Sequence, residues 1–488
     1  MIPMLPLLLA LAPMLDAPAD AAPRDWAATL RRDAQALHDD IAANHPGPVN
    51  ALDPGFVRRN DAALAQALER SARVRDEGGY LAAMRGYAAR FDDGHLAVFM
   101  ADQSRALPVR WPGFLTGFDA RGAQVVMTRE DRAPVPLGAR LVACDGRPAD
   151  RLAAENVGAF AGRWMLASRR ALTGGALFTD QGNPFIARPA RCTFVVDGRE
   201  RAVTLDWRPI DPAAYRARLA DTNQRAREPI GARTDPDGTR WFTLSGFNGD
   251  PDGADAAALR PLIAALAADR DAIVGAPRIV LDLRGNNGGS SDWSHQIATI
   301  LWGAARIDGL PDHSYVEWRV SDTNLATLRD YQAQFDRPDA GEVARRYFRT
   351  LVDGVAAARA AGRPLWREPD DIGDDPAAKG AAPPPPPTAP ARVYFVTDTG
   401  CASACLDAAD LWSALGAIQV GQETSADTLY MDVRNPTLPG GVMRAAVPMK
   451  VYRGRDRGSN VPMEPVHRYA GDMRDTAALA AWIATLDR

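Results

Sequence analysis

The feature that most constrains this chain is a run of mostly apolar residues, from Ile279 to Leu283, that leads directly into a glycine-rich segment. A short run without polar alternation is typical of a strand in a sheet that is covered on both faces. Helical spacing occurs on both sides of it, from Ala254 to Asp269 and from Ile297 to Leu301. Strands that alternate with helices predict an α/β layer architecture for this part of the chain.

A second strand-to-helix junction lies further along the sequence. The strand-like run from Arg392 to Val396 is followed by a turn, and helical spacing resumes from Leu406 to Trp412. Ser403 lies in the turn, between Cys401 and Cys405. A serine at a helix N-terminus can act as a nucleophile, because backbone N–H groups there stabilise developing negative charge. Serine is equally common there as a simple helix cap, so the turn alone leaves both interpretations open.

The rest of the chain divides into regions of different character. At 488 residues it is long enough for several domains. Residues 1–22 contain an apolar core and end mostly in small residues, which is typical of a signal peptide. Helical spacing predicts a helical domain at 23–105, short strands and turns predict a β-rich domain at 106–210, and the α/β pattern occupies 225–488. A charged helical and proline-rich stretch at about 305–390 is predicted to be an insertion in the last domain.

Composition limits the classes of function and the location. The net charge is −4, so no nucleic-acid partner is indicated. No uncharged apolar stretch of spanning length follows the leader, so the protein is predicted to be exported, periplasmic or secreted, without stable membrane insertion. The cysteines fall into two local pairs, Cys144 with Cys192 and Cys401 with Cys405, which fit either two disulfides or four buried thiols. No cysteine and histidine cluster has metal-ligand spacing, and no metal or cofactor is predicted.

Glycines follow the first strand directly, at Gly285, Gly288 and Gly289. Glycine at a strand-to-helix turn lets the backbone approach a ligand and direct N–H groups at an anion. The loop lacks the Gly-x-Gly-x-x-Gly and Gly-Lys-Ser/Thr patterns of nucleotide-binding loops. It is therefore either a tight turn packed on the sheet or a source of N–H donors for an oxyanion formed at Ser403.

Four segments, taken together and in this order, resemble one known family. They are Asp282–Gly289, Ala402–Ala404, Gly421–Thr424 and Pro462–Pro465. They are similar to segments of the tail-specific, or C-terminal processing, serine peptidases, which include the tricorn core protease. The resemblance implies a crotonase-like catalytic fold, acyl transfer to Ser403, and an oxyanion hole formed by the Ala404 N–H with the Gly288 or Gly289 N–H. It also implies that the β-rich middle domain is PDZ-like.

The sequence departs from many members of that family in the group that would activate the serine. Those members carry a lysine downstream of the serine, whereas the corresponding stretch here, Glu423 to Thr428, has none. The chain contains only Lys379, in the proline-rich spacer, and Lys450, in an apparent strand. This scarcity favours the branch of the family that uses a histidine, because a histidine can take the proton of a serine without any lysine.

His95 is the first candidate for that base. It ends the segment Asp93-Gly94-His95, which resembles the segment that supplies the base in the tricorn-like branch. A histidine that only satisfies backbone groups in a turn is the alternative, and His295 and His467 are the other candidate bases.

A catalytic histidine needs a group that orients its ring. The resemblance implies Glu464 for this role, and Asp93 and the segment Gly458–Asn460 are the alternatives. The predicted function is an exported serine hydrolase, in the first place a peptidase acting on a peptide or protein substrate, with His95 as general base for Ser403. Two alternatives stay open, a non-catalytic ligand- or peptide-binding protein on the same scaffold and an esterase.

Overall fold

A computed structural model describes most of the chain, and its architecture is mixed α/β. The described residues are 24–119, 121–223, 228–311, 313–337, 341–373 and 391–486. The predicted signal peptide at 1–22 and the proline-rich spacer with Lys379 lie outside them. Among the described residues, none of the helices has the length and apolar character needed to cross a bilayer.

Three helices and a short strand form the first region. They are α1 (Trp26–Asn44), α2 (Phe56–Ser71), α3 (Glu77–Ala89) and β1 (Ala97–Met100). Helix α1 begins where the Asp25 carboxylate accepts the Ala28 N–H at 2.8 Å. Its buried face includes Leu37 and packs into one hydrophobic core with Met443 and Val447 from near the C-terminus. The helices are therefore attached to the last part of the chain through a shared core.

The middle region is built around an antiparallel sheet. Its elements are β2 (Val109–Trp111), β3 (Phe114–Phe118), β4 (Gln124–Arg129), β5 (Arg140–Cys144), β6 (Arg147–Pro148), α4 (Ala149–Ala153), α5 (Ala159–Ala161), α6 (Ala167–Thr173), β7 (Arg191–Val196), β8 (Arg199–Thr204), β9 (Arg208–Ile210) and α7 (Pro212–Asp221). The strands pair in the order β3-β4-β5-β7-β8, while β2 pairs with β9. A disulfide joins Cys144 to Cys192, which are opposite each other on β5 and β7.

The last region contains the α/β pattern predicted from the sequence. Its elements are β10 (Gly231–Thr234), β11 (Arg240–Thr243), α8 (Ala254–Ala268), α9 (Arg270–Val274), β12 (Arg278–Asp282), α10 (Asp292–Trp302), α11 (Ala304–Asp308), β13 (Tyr315–Arg319), α12 (Asp322–Phe335), α13 (Glu342–Ala360), β14 (Leu365–Arg367), β15 (Arg392–Thr397), α14 (Ala404–Ala414), β16 (Ile418–Gly421), β17 (Tyr430–Arg434), β18 (Met443–Arg453), β19 (His467–Arg468) and α15 (Thr476–Ile483). The order β10-β11-β12-β15-β16-β19 forms a six-stranded sheet that is parallel from β11 onward.

Both faces of this six-stranded sheet are covered, as the apolar run predicts. Every residue of β12 is buried. Ile279 and Leu281 belong to the core that contains residues of α8, α10 and α14, whereas Val280 belongs to the core that contains Leu479 of α15. Because β12 and β15 are parallel neighbours, the loops that follow them meet at the same edge of the sheet. The glycine loop and the Ser403 turn are these two loops.

A second, five-stranded sheet connects the first and last regions. Strands β1, β18, β13 and β14 pair in that order, and β17 also pairs with β18. Helices α12 and α13 cover this sheet, with Leu328, Leu351 and Val355 in a core that includes Trp318. The described part of the predicted insertion thus supplies two strands and two helices to the sheet in which β1 lies.

Candidate active site

Ser403 occupies a sharply bent turn between β15 and α14. Its φ of 56° and ψ of −126° lie in a region that non-glycine residues rarely adopt. The Ser403 N–H donates to Asp427 Oδ2 at 2.7 Å, the Leu406 N–H donates to the Ser403 carbonyl at 2.7 Å, and a disulfide joins Cys401 to Cys405 across the turn. The Ser403 side chain makes no capping hydrogen bond to the helix. Its hydroxyl is therefore free of the capping role that was the alternative interpretation.

His95 lies directly beside this hydroxyl. Its Nε2 is 3.3 Å from Ser403 Oγ, although the two residues are 308 positions apart in the chain. The His95 backbone N–H donates to Asp93 Oδ1 at 2.8 Å, which shapes the loop between α3 and β1. Two residues later β1 begins, and its Ala97 pairs with Ala446 of β18. The pairing of β1 with β18 in the five-stranded sheet thus positions His95 beside Ser403, which follows β15 of the six-stranded sheet.

Asp93 is the carboxylate nearest to His95 in sequence and interacts with it. Burial raises the pKa of Asp93 above its ordinary value, and the charge and backbone N–H of His95 oppose that rise, as does a hydrogen bond from Thr428.

The glycine loop packs directly against the Ser403 turn. Gly288 has a φ of +98°, and a Cβ atom there would lie 2.6 Å from both the Ala402 carbonyl oxygen and Ser403 Cβ. Asp398 joins the two loops, because its Oδ2 accepts the Gly285 N–H at 2.9 Å and its Oδ1 accepts the Gly400 N–H at 2.8 Å. The close approach leaves no space for a side chain at position 288.

The backbone N–H groups around Ser403 differ in their availability. The Gly288 N–H donates to Asn286 Oδ1 at 2.8 Å. The N–H groups of Gly289 and Ala404 have no acceptor within the part of the chain that the structure describes. Two unpaired N–H groups next to a nucleophile can together bind the oxyanion of an acyl-transfer intermediate.

Two residues that link the site together were not singled out as such from the sequence. Asp427, which is buried, accepts the Ser403 N–H and lies 4.0 Å from Arg457 Nη1. The Asn460 N–H donates to the Asp427 carbonyl at 2.7 Å, and Asn460 Nδ2 donates to the Asp92 carbonyl at 2.8 Å. Asn460 therefore connects the loop of His95 to the segment that holds Ser403. The signal for Asp427 was its place in the stretch Glu423 to Thr428, which corresponds to the lysine-bearing stretch of the family that the sequence resembles.

Among the described residues, no hydrogen bond joins Glu464 to His95. Its Oε2 accepts a hydrogen bond from Arg468 Nη2 at 2.6 Å, and its side chain is 57% exposed. It also neighbours Glu423, whose pKa is raised by burial first and by the negative charge of Glu464 second. Glu423 Oε1 in turn accepts the Ser168 N–H at 3.0 Å. Glu464 is thus paired with Arg468 and lies beside the buried Glu423, and among the described residues no hydrogen bond joins it to the imidazole.

The other ring nitrogen of His95, Nδ1, also lacks a carboxylate partner among the described residues. His95 Nδ1 and Asn460 Oδ1 are buried, and neither has a hydrogen-bond partner within the described ranges. Of the reserve histidines, His295 is exposed on α10 and His467 lies on β19, and no hydrogen bond links either to Ser403 in the described structure.

Lys450 is also engaged elsewhere. Burial alone would lower the pKa of Lys450, but Asp432, whose Oδ2 is 2.8 Å from Nζ, and the neighbouring Tyr452 hold that pKa well above its ordinary value. The ammonium also lies over the ring of Trp318. A lysine held protonated in this way cannot take a proton from a serine.

Solved structures with this fold match almost the whole chain. The crystal structure of mature CPAF matches with a TM-score of 0.60 at 14% sequence identity, covering 94% of this chain and 96% of that chain. The chain has the fold of mature CPAF. A structure of mature CPAF complexed with lactacystin matches with a TM-score of 0.58 at 14% identity, covering 94% of this chain and 98% of that one.

A photosystem II D1 C-terminal processing protease matches at 13% identity over 90% of this chain and 92% of that chain, with a TM-score of 0.34 that is too low to establish a shared fold. No protein-family model and no curated protein sequence matches the chain.

Proposed function

We propose that this protein is an exported serine peptidase in which Ser403 is the nucleophile and His95 is the general base. The observation that carries the proposal is the 3.3 Å separation of His95 Nε2 and Ser403 Oγ, which is close to hydrogen-bond reach for a pair before substrate binds. The bent backbone at Ser403 adds support, since strain of this kind concentrates at functional sites. The two disulfides fit an oxidising compartment outside the cytoplasm.

The proposed reaction follows from the positions of these groups. His95 Nε2 takes the hydroxyl proton as Ser403 Oγ attacks the carbonyl carbon, and the imidazolium then protonates the leaving amine. The oxyanion accepts hydrogen bonds from the N–H groups of Ala404 and Gly289, because the Gly288 N–H is already bound to Asn286. Water then attacks the acyl group on Ser403, with His95 again as base.

We also propose a crotonase-like fold for the last region and a PDZ-like fold for the middle region. The sequence resemblance to C-terminal processing peptidases implies that the six-stranded sheet and its helices form a crotonase-like unit and that the middle region is PDZ-like. The mostly parallel six-stranded sheet with helices on both faces and the separate antiparallel sheet of the middle region support this assignment. The orienting role of Glu464 is not included, since its carboxylate binds Arg468 in this conformation.

A serine-reactive fluorophosphonate probe tests the nucleophile. We expect the purified protein to be labelled and Ser403→Ala to abolish labelling, because the reacting oxygen is removed while the buried packing is kept. Ser413→Ala is the matched control, since Ser413 is an exposed serine on the same helix, and it should label like the unaltered protein. Labelling that persists in Ser403→Ala at an unchanged melting temperature rejects the assignment.

The two alternative functions need a substrate comparison. Peptides with free and blocked C-termini, offered beside small esters, should show amide cleavage that Ser403→Ala removes. Ester cleavage without amide cleavage would assign the protein as an esterase. Saturable peptide binding without turnover, and without probe labelling, would assign it as a binding protein on this scaffold.

A further inference from the structure

A covalent bond lies across the nucleophile turn, which is the segment Cys401–Cys405. Cys401 lies between β15 and α14, and Cys405 lies in the first turn of α14, so their disulfide joins the approach to the helix with the helix itself. Ser403 is the central residue of the bridged segment. The bond therefore acts on the backbone of the residue that carries the reacting oxygen.

Ser403 has a backbone conformation that the turn must enforce. Its φ of 56° and ψ of −126° are costly for a residue with a side chain, and such a conformation persists only when the surrounding structure holds it. Hydrogen bonds supply part of this restraint. The Asp427 carboxylate accepts the Ser403 N–H, and the Cys401 carbonyl accepts the N–H of Ser425 at 2.9 Å. The disulfide adds a restraint of another kind, because it fixes the two ends of the turn to each other.

The surroundings of the turn cannot easily absorb the loss of this bond. Both cysteine side chains are fully buried, in the core that also contains Leu406 and Trp412. The turn also meets the glycine loop so closely that a Cβ atom at Gly288 would collide with it. Two thiols need more space than a bonded pair, and a close-packed interior offers little. Reduction should therefore displace the backbone beside Ser403.

The second disulfide of the chain differs from this one in what it can do for stability. Cys144 and Cys192 are 48 positions apart, whereas Cys401 and Cys405 are 4 apart. A bond that closes a short loop restricts the unfolded chain less, and so it contributes less stability by that route. The Cys144–Cys192 bond also lies in a separate hydrophobic core of the middle region. The two bonds thus separate a local effect on Ser403 from a general effect on folding.

We propose that the Cys401–Cys405 disulfide is a redox-dependent positioning device for Ser403, with the oxidised turn competent for acylation and the reduced turn relaxed. The inference rests on the proposed function, since it takes Ser403 as the nucleophile. The bond forms by exchange with an oxidising disulfide, which accepts two electrons and two protons from the two thiols and becomes two thiols itself. A dithiol reductant reverses the step. Because both cysteines are buried, the exchange requires an unfolded turn, and the redox state is set as the chain folds.

Paired substitutions test the device. Cys401→Ala/Cys405→Ala should slow fluorophosphonate labelling by about tenfold or more, because a small displacement of a nucleophile is costly. Cys144→Ala/Cys192→Ala is the matched control. It should lower the melting temperature more, since the longer loop is opened, and yet keep the labelling rate within about twofold. Cys401→Val/Cys405→Ala refills part of the buried volume and replaces the first variant if that one does not fold.

Reversible oxidation gives a readout that a merely structural role would not produce. The Cys144→Ala/Cys192→Ala protein, which keeps a single disulfide, is unfolded in dithiothreitol and refolded with either dithiothreitol or oxidised glutathione, and its free thiols are counted. We expect labelling about tenfold or more slower after reductive refolding, and recovery to within about twofold after oxidative refolding. Hydrogen–deuterium exchange over 398–407 should be faster in the reduced protein, and this measurement needs no reaction at Ser403.

The outcomes separate this inference from the proposed function. Unchanged labelling and unchanged exchange in a folded protein without the Cys401–Cys405 bond overturn the device. Equal losses of labelling in the two alanine pairs overturn it as well, because they indicate a general loss of stability. Faster exchange of the reduced turn in a protein that is not labelled in either redox state supports the restraint on the turn and rejects Ser403 as the nucleophile.

Discussion

The turn of Ser403 and the loop of His95 face each other across the site, but they are held in different ways. The turn is fixed by neighbours in its own sheet: a disulfide spans it, Asp427 accepts its N–H, and Asp398 fastens it to the glycine loop. The loop of His95 has one internal hydrogen bond, to Asp93, and otherwise depends on the β1–β18 pairing and on hydrogen bonds from Asn460, Arg163 and Thr428 in distant segments. The conformation of the nucleophile is thus locally determined, whereas the position of the base is set by tertiary docking.

Removing the base gives the largest expected effect. His95→Ala should slow fluorophosphonate labelling of Ser403 by about a hundredfold or more, because among the described residues His95 is the side chain that hydrogen-bonds to Ser403 Oγ. The measurement is the labelling rate at fixed pH, with His295→Ala on α10 as control because that side chain is exposed. Equal losses in the two variants would point to a general effect of losing a histidine and would remove His95 from the proposed reaction.

Distorting the turn should cost nearly as much. Gly288→Ala places a methyl group against Ala402 and Ser403 and should lower the labelling rate by about ten- to a hundredfold, since small displacements of a nucleophile are costly. Gly122→Ala is the control, because Gly122 also has a positive φ but open space around it. Its backbone strain lowers stability without touching the site. An unchanged labelling rate in Gly288→Ala would show that the two loops are not one rigid unit.

Loosening the docking of the base is expected to have a smaller effect. Asn460→Gly keeps the positive φ of 55° at this position but removes the hydrogen bond to Asp92. We expect a labelling rate about tenfold lower, through a less well positioned imidazole. A double-mutant cycle with His95→Ala measures this coupling, and the Asn460→Gly effect should vanish when the imidazole is absent. Full additivity would mean that Asn460 acts on the serine turn instead.

Glu464→Gln should have the smallest effect on labelling, less than about threefold, because the carboxylate is exposed and paired with Arg468. A loss of a hundredfold would instead restore it as the group that orients His95.

The same variant has a pH signature. The pKa of Glu423 is raised in the folded protein, so folding favours its protonated form, and the free energy of unfolding falls as pH rises from the unfolded toward the folded pKa. Glu464→Gln removes part of the rise, and the stability loss should shift to lower pH in denaturant titrations between pH 4 and pH 7.

Local patterns predicted what lies near in sequence. The apolar run at 279–283 and the turn after Arg392–Val396 both appear as parallel strands followed by helices, and the α/β prediction is confirmed. These elements follow from hydrophobic period and turn residues, which depend on neighbours along the chain. The role of a site residue also depends on contacts with segments that are distant in the sequence.

Contacts between distant segments could not be predicted from these local sequence patterns. Nothing local indicates that Asp427 binds the Ser403 N–H or that Asn460 joins it to Asp92, because these contacts arise only when several loops meet. The surroundings of Glu464 are missed for the same reason. A family resemblance gives a residue its candidate role, while its neighbours in space decide whether it touches the base.

The β1–β18 pairing has a consequence for incomplete chains that lack β18. A fragment that ends before Met443 contains both His95 and Ser403 but lacks the strand on which β1 is laid down. Such a fragment, whether nascent, truncated or clipped, has both reacting side chains but lacks β18 and Asn460, which help to align them. The proposed reaction would then require the last part of the chain to be folded before His95 and Ser403 are fully aligned.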